Sequence, residues 1–177
     1  KIPRSSSLTI RDTITIDAWI KPNSTSPSTQ SPIVEYNTIG EGDRGILGAH
    51  FWIWPNNTSL YANLVDTAGY SHQILASNVI TLNEFQHVAV TYDKASRRAK
   101  LYRNGAVVAD QNLGSFSLAT NGDVNIGLRT ASGGGYGATF LGVIDEVEIF
   151  NRMLAISEIQ AIYNAGCAGK MKDKTPP

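Results

Sequence analysis

The sequence predicts an all-β fold: two antiparallel sheets packed as a sandwich, closed by one short C-terminal helix. Three observations carry this. Short segments alternate apolar and polar residues with period two. Gly, Pro, Ser, Thr and Asn make up more than a third of the 177 residues, which suits many strands joined by turns. Only one stretch, near the C-terminus, carries helical spacing.

Taken in order, Ile14, Ile16, Ala18 and Ile20 alternate with Thr13, Thr15, Asp17 and Trp19 and put one apolar row against a core. A solvated loop is expected from Lys21 through Gln30, where Pro22, Pro27 and a Ser/Thr/Asn cluster end the alternation, and a second at 41–48. Further strands are read at Ala49–Trp54, Ser59–Val65, Tyr70–Leu75, His87–Tyr92, Ala99–Tyr102, Ala106–Ala109, Val124–Leu128 and Phe140–Phe150. Asn104-Gly105 is a two-residue type I′ hairpin signal, and Pro55-Asn56-Asn57-Thr58 turns between two aromatic-bearing strands. Ser157 followed by Gln160 reads as a capping box. Ile159, Ile162 and Tyr163 then share a stripe, and Gly166 suits the left-handed end of the helix.

Composition excludes several function classes. With 15 Lys plus Arg against 15 Asp plus Glu, the net charge is zero, so nucleic acid and anionic membranes are not expected partners. No apolar run approaches the roughly 20 residues of a membrane span, so no membrane insertion is expected. A single cysteine, Cys167, allows no internal disulfide. The stretch from Lys1 shows no charged-then-apolar leader, and residues 170–177 form a charged, Pro-terminated tail. The expectation is therefore a domain over 1–169 with a linker-like tail at 170–177, cut from a longer protein whose other domains are its partners.

Four segments carry a family signature: Thr13-Ile14-Thr15-Ile16-Asp17-Ala18-Trp19-Ile20-Lys21-Pro22; Gln86-His87-Val88-Ala89-Val90-Thr91-Tyr92-Asp93; Leu101-Tyr102-Arg103-Asn104-Gly105; and Gly142-Val143-Ile144-Asp145-Glu146-Val147-Glu148-Ile149-Phe150-Asn151-Arg152-Met153-Leu154 running into Ser157-Glu158-Ile159. In this order they resemble the laminin G-like jelly-roll domains of the concanavalin A-like lectin/glucanase superfamily, over nearly the whole chain. The resemblance implies a jelly-roll sandwich within a large extracellular or cell-surface protein, binding glycans or other proteins. The fold hosts lectins, adhesion modules and glycosidases alike, so it implies no single ligand.

Glycosidases of this superfamily carry a strand with Glu-x-Asp-x-Glu or Glu-x-Asp-x-x-Glu. Aligning Asp145 with the central Asp puts Val143 where the nucleophile belongs, and valine forms no glycosyl intermediate. Glu146 and Glu148 fit the plain Ile-Asp-Glu-Val pattern of non-catalytic modules. The histidines His50, His72 and His87 have neither a serine elbow nor zinc spacing beside them. The chain is accordingly expected not to be an enzyme.

Binding chemistry is left. Calcium is the metal the residues suit, with Asp145 as first ligand on the expectation that it shares a strand face with Val143, Val147 and Ile149 and is partly buried. The acidic loop Glu41-Gly42-Asp43 is a second candidate. A sugar needs an exposed aromatic plane and planar polar groups. Trp52 and Trp54 share one strand face, and Phe51 and Ile53 share the other; one pair points inward, and the sequence leaves open which. If Phe51 and Ile53 are core, the tryptophans line the outer sheet face beside Tyr61 and Asn63. His72, Arg129 and Tyr136, with Tyr70, are rim candidates. Arg129 is expected to continue the Asn125 and Gly127 face, leaving Ile126 and Leu128 for the core. Trp19 is set aside, because the family's tryptophan here packs under the sheet. The Lys94–Lys100 run reads as a solvated hairpin tip, with sulfated polymers as a side reading. Two readings stand: a glycan-binding, lectin-like module with an exposed Trp or Tyr, and a protein-interaction or spacer module with those aromatics buried.

Overall fold

A computed structural model of the chain describes residues 1–24, 30–37, 48–54, 58–129 and 137–166. Alternation in Thr13–Pro22 (β1) buries Ile14, Ile16, Ala18 and Ile20 completely. The same pleat, facing the same core, recurs in Ala49–Ile53 (β3), Leu60–Val65 (β4), Ser71–Ala76 (β5), Gln86–Asp93 (β6) and Arg98–Arg103 (β7). Ser31–Asn37 (β2), Ala106–Asn112 (β8), Asp123–Ile126 (β9), Leu128–Arg129 (β10), Ala138–Thr139 (β11) and Gly142–Phe150 (β12) complete the strands. Ile156–Ala165 (α1) is the helix.

The strands form a back sheet in the order β12-β1-β6-β7-β8 and a front sheet in the order β5-β4-β3-β2-β9, with β10 and β11 as a small ribbon. All described pairings are antiparallel. Between the sheets, Ile16, Val90 and Leu101 meet Phe51, Leu64 and Tyr36 in one apolar cluster. Each such side chain contributes about 1.5–3 kcal/mol by leaving water. Tyr92 spans the layer and donates its hydroxyl to the Phe116 carbonyl at 3.1 Å.

The Asn104-Gly105 turn has φ of 49° and 76°, the positive pair a type I′ turn needs, and joins β7 to β8. Gly105 also lies beneath α1. A Cβ there would stand 3.2 Å from the Tyr163 ring, so position 105 is reserved for glycine twice over.

Helix α1 covers the outer face of the back sheet. Leu154 and Ile159 pack on Ala89 and Tyr102, and Tyr163 stacks on Trp19 with centroids 5.9 Å apart. Beneath lie buried Asp17 and His87, with Nε2 to Oδ1 at 3.4 Å. The helix starts two residues earlier than the Ser157/Gln160 expectation. Ala155 is the N-cap, and Glu158 in the first turn accepts its N–H at 2.8 Å while pairing bidentately with Arg152 at 2.7 and 2.8 Å. Alanine has no side-chain acceptor, so only the glutamate half of a capping box exists here. The Arg152 guanidinium and the Ala155 amide hold the Glu158 carboxyl at about 2.

Other expectations are corrected by irregular strands. β1 runs on through Lys21 and Pro22, pairing with Val143 and Gly142, where a loop was expected. β2 carries no period-two pattern, because its register shifts between Pro32 and Val34 and Ile33 and Val34 both enter the core. In β12 a bulge opposite Asp17 and Trp19 leaves Glu146 at φ 49°. Before it Ile144 faces the core, and after it Val147 and Ile149 do. Asp145 therefore parts from Val147 and Ile149, is exposed, and accepts the Glu146 N–H with its own Oδ1 at 2.9 Å. β9 is the edge strand of the front sheet, so Ile126, although opposite core Val34, and Leu128, beyond the left-handed Gly127, are exposed rather than core. The Glu41-Gly42-Asp43 loop, Tyr136, Cys167 and the 170–177 tail lie outside the described residues.

Candidate functional site

Phe51 and Ile53 are core, which places Trp52 and Trp54 on the outer face of the front sheet together with Tyr61 and Asn63. Cross-strand register builds two rows on that face. One is polar and crosses all five strands: Gln73 opposite Asn63, Asn63 opposite His50, His50 opposite Glu35, Glu35 opposite Asn125. The row beside it is apolar and aromatic: Leu75 opposite Tyr61, and Tyr61 opposite Trp52.

Glu35 organises the inner part. It is fully buried; its Oε2 accepts the Trp52 indole N–H, and its Oε1 lies 2.9 Å from His50 Nδ1 and 3.6 Å from the Arg129 guanidinium. Arg129, itself buried, also sits over the Trp52 ring at 4.8 Å, so its charge is met by a carboxylate edge and an aromatic face together. The buried Oδ1 atoms of Asn63 and Asn125 accept no bond among the described residues.

From this anchored end the aromatic rings run outward. Trp52 stacks on Tyr61 at 5.5 Å and 24°, and Tyr61 meets Trp54 at 4.4 Å and 51°. Trp52 and Tyr61 are buried; Trp54 is part-exposed. Beyond Tyr61 an open pocket of about 390 Å³ is lined by Trp54, Tyr61, Gln73, Ile74, Leu75 and Gln111. Gln111 comes from β8, so the pocket sits where edges of the two sheets meet.

The structure thus brings Trp52, Trp54, Tyr61, Asn63 and Arg129 onto one face and keeps His72 apart. His72 lies against the Phe116 ring at 3.7 Å, with Nε2 3.0 Å from Asp66 Oδ2. Burial alone would raise the Asp66 carboxyl, but the bonds from His72 and from the Tyr70 and Ala68 amides outweigh it and hold it below the usual range. Trp19 is enclosed beneath α1. The Lys94–Lys100 tip is a paired surface: Lys94 contacts Asp12, while Arg98 and Lys100 share Asp110.

Sequence reasoning missed Glu35, His50, Asn125, Gln73 and Gln111 as site components. Glu35 sits on the strand with broken alternation, His50, Asn125 and Gln73 become neighbours only through pairing register, and Gln111 arrives from the other sheet. For the expected calcium ligand the fit is poor: Asp145 is exposed and bonded to its own chain, and among the described residues no group of three His, Cys, Asp or Glu side chains is placed to hold a metal. No helix among the described residues is long and apolar enough to cross a membrane.

Two facing antiparallel sheets closed by one short helix define a jelly-roll sandwich. The family model Laminin_G_3, described as the concanavalin A-like lectin/glucanases superfamily, matches residues 1–160, and the chain belongs to that family. No curated protein sequence matches the chain. Among solved structures, the CBM40 module of Ruminococcus gnavus IT-sialidase bound to α2,3-sialyllactose superposes with a TM-score of 0.72 at 19% identity, covering 89% of this chain and 86% of that one. A heptameric SAP-like pentraxin from Limulus polyphemus gives 0.67 at 17%, covering 94% and 77%. The botulinum neurotoxin serotype G binding domain gives 0.67 at 17%, with 90% of this chain on 39% of that one. At these identities the likeness is one of fold.

Proposed function

We propose that the chain is a non-catalytic carbohydrate-binding module of a larger secreted or surface protein, holding its glycan on the outer face of the front sheet. The observation that carries this reading is the Trp54–Tyr61 pair opening onto a pocket while Trp52, Glu35 and Arg129 lock the rings from behind. Rigid aromatic planes beside planar polar groups are what a pyranose requires, its C–H face on a ring and its hydroxyls on amides. The sialyllactose bound by the CBM40 neighbour and the likeness to a toxin's binding domain support a binding role. Val143 at the position of the family's nucleophile supports the absence of glycosidase chemistry.

A glycan array with the 177-residue chain, run with calcium and with chelator, tests the proposal. Binding lost in Trp54→Ala supports it; a blank array in both conditions overturns it. A thermal melt unchanged by chelator removes the calcium expectation. The second reading, protein interaction, is favoured by Ile126, Leu128, Leu141 and Val143, all exposed on the β9–β12 segment. Retention of an extracellular protein ligand by a chain blank on the array would establish it.

A further inference from the structure

We infer that the pocket at the front-sheet edge selects an uncharged sugar residue, with Gln73 and Gln111 as its specificity determinants; this rests on the carbohydrate-binding reading above. Among the described residues the lining contains no charged side chain: two aromatic rings, two aliphatic side chains and two glutamines. The charges of this face, Glu35 and Arg129, are buried at the opposite end of the ring series and engaged with each other and with Trp52. On β8, Asp110 pairs with Arg98 and Lys100, and strand alternation turns these away from Gln111. A carboxylate or sulfate entering the pocket would lose water and meet no cation among the described residues, which is strongly unfavourable. A neutral pyranose loses little.

The glutamines supply the positive side of the selection. A carboxamide offers two donors and an acceptor, and vicinal hydroxyls offer the complement. Gln73 and Gln111 are both exposed and both line the pocket, one from each sheet, so they reach a ring lying on Trp54 from two directions. A volume of about 390 Å³ is near the lower end of the roughly 300–1,000 Å³ of small-molecule sites, room for a terminal residue or two and not for a long chain segment.

The test is an NMR titration of the 177-residue chain with the methyl glycosides of galactose, mannose and N-acetylglucosamine, against sialyllactose and a sulfated disaccharide. The expected result is saturable binding of at least one neutral glycoside, shifting the Trp54 indole and the Gln73 and Gln111 side-chain amide signals. Affinity should be unchanged between low and high salt, since no charge is involved. Gln73→Ala and Gln111→Ala should each weaken it about 3- to 10-fold, the value of one neutral hydrogen bond. Both side chains are exposed, so each variant is expected to keep the parent's spectrum elsewhere. Binding confined to the acidic sugars, or neutral binding insensitive to both glutamine variants, overturns this inference and leaves the module carbohydrate-binding. Absence of binding to every sugar overturns the underlying function as well.

Discussion

The two outer faces of the sandwich are built from the same ingredients. On the back sheet, Trp19, Asp17 and His87 come from adjacent strands, Trp19 directly opposite His87. On the front sheet, Trp52, Glu35 and His50 do, with His50 directly opposite Glu35. The back cluster is sealed by α1, whose Tyr163 stacks on Trp19. The front cluster instead hands its rings on, through Tyr61 to Trp54 and an open pocket. A tryptophan beside a histidine and a carboxylate is therefore no site in itself. What distinguishes the two is that the next aromatic neighbour belongs to a helical lid on the back face and opens onto a pocket on the front.

The largest expected effect falls on the anchor of the front face. Glu35→Ala removes the carboxylate that Trp52, His50 and Arg129 share and leaves a buried guanidinium short of its counter-charge, at a cost of about 3–5 kcal/mol. A domain of this size should then melt roughly 10 °C lower. Retention of the parent melting temperature would break the claim that Glu35 organises that face. Next comes a paired experiment that sharpens the contrast. Trp19→Ala should cost about 3–5 kcal/mol by opening a hole beneath α1, with glycan affinity of the folded molecules unchanged. Trp54→Ala should cost within about 1 kcal/mol and abolish glycan binding. Exchanged outcomes would mean that the back face is the functional one. Gly105→Ala should cost about 1–2 kcal/mol for a side chain at positive φ and speed amide exchange in α1, because the hairpin tip would press on Tyr163.

The smallest effect concerns how the lid is fastened. The Glu158 carboxyl is held at about 2, below its ordinary 4.5, so the charged form is the one folding favours. Its contribution is present above pH 4.5 and fades as pH falls toward 2. Glu158→Gln should accordingly melt slightly below the parent at pH 7, with the difference closing over that acidic window. A difference that persisted at the acid end would assign the effect to packing instead.

Much of the fold was legible because its strands obey period two. The alternation of residues 13–20, the Asn104-Gly105 turn and the stripe of Ile159, Ile162 and Tyr163 each have one local cause, and each appears where its cause puts it. The failures share a cause too. The bulge at Pro32 and the one at left-handed Glu146 each shift the pleat by one residue, which sends every later side chain to the opposite face. That hid Glu35 and turned Val147 and Ile149 away from the face of Asp145, while Ile126 and Leu128 are exposed because they lie at the sheet edge. The Trp52 and Trp54 face was half legible. Alternation paired them, but only the partner strands decide that Phe51 and Ile53 are the inward pair. Gln73 and Gln111 were not legible at all, since they lie on different sheets and meet through the tertiary fold.

The order of strands in the back sheet carries a consequence for how this molecule comes into being. β1 is an interior strand held between β6 and β12, so an early segment of the chain waits for a late one before its hydrogen bonds are complete. Thr15 pairs with Phe150, and its hydroxyl accepts the Leu154 amide at 3.0 Å. During synthesis, a nascent chain lacking β12 and α1 would carry one raw edge along β1 and an uncovered Trp19 face. Long-range closure of this kind is slow and exposes sticky surface in the meantime. The last strand and the helix act as the latch of the biosynthetic sequence, and truncation before Gly142 should yield a chain that associates with itself instead of folding.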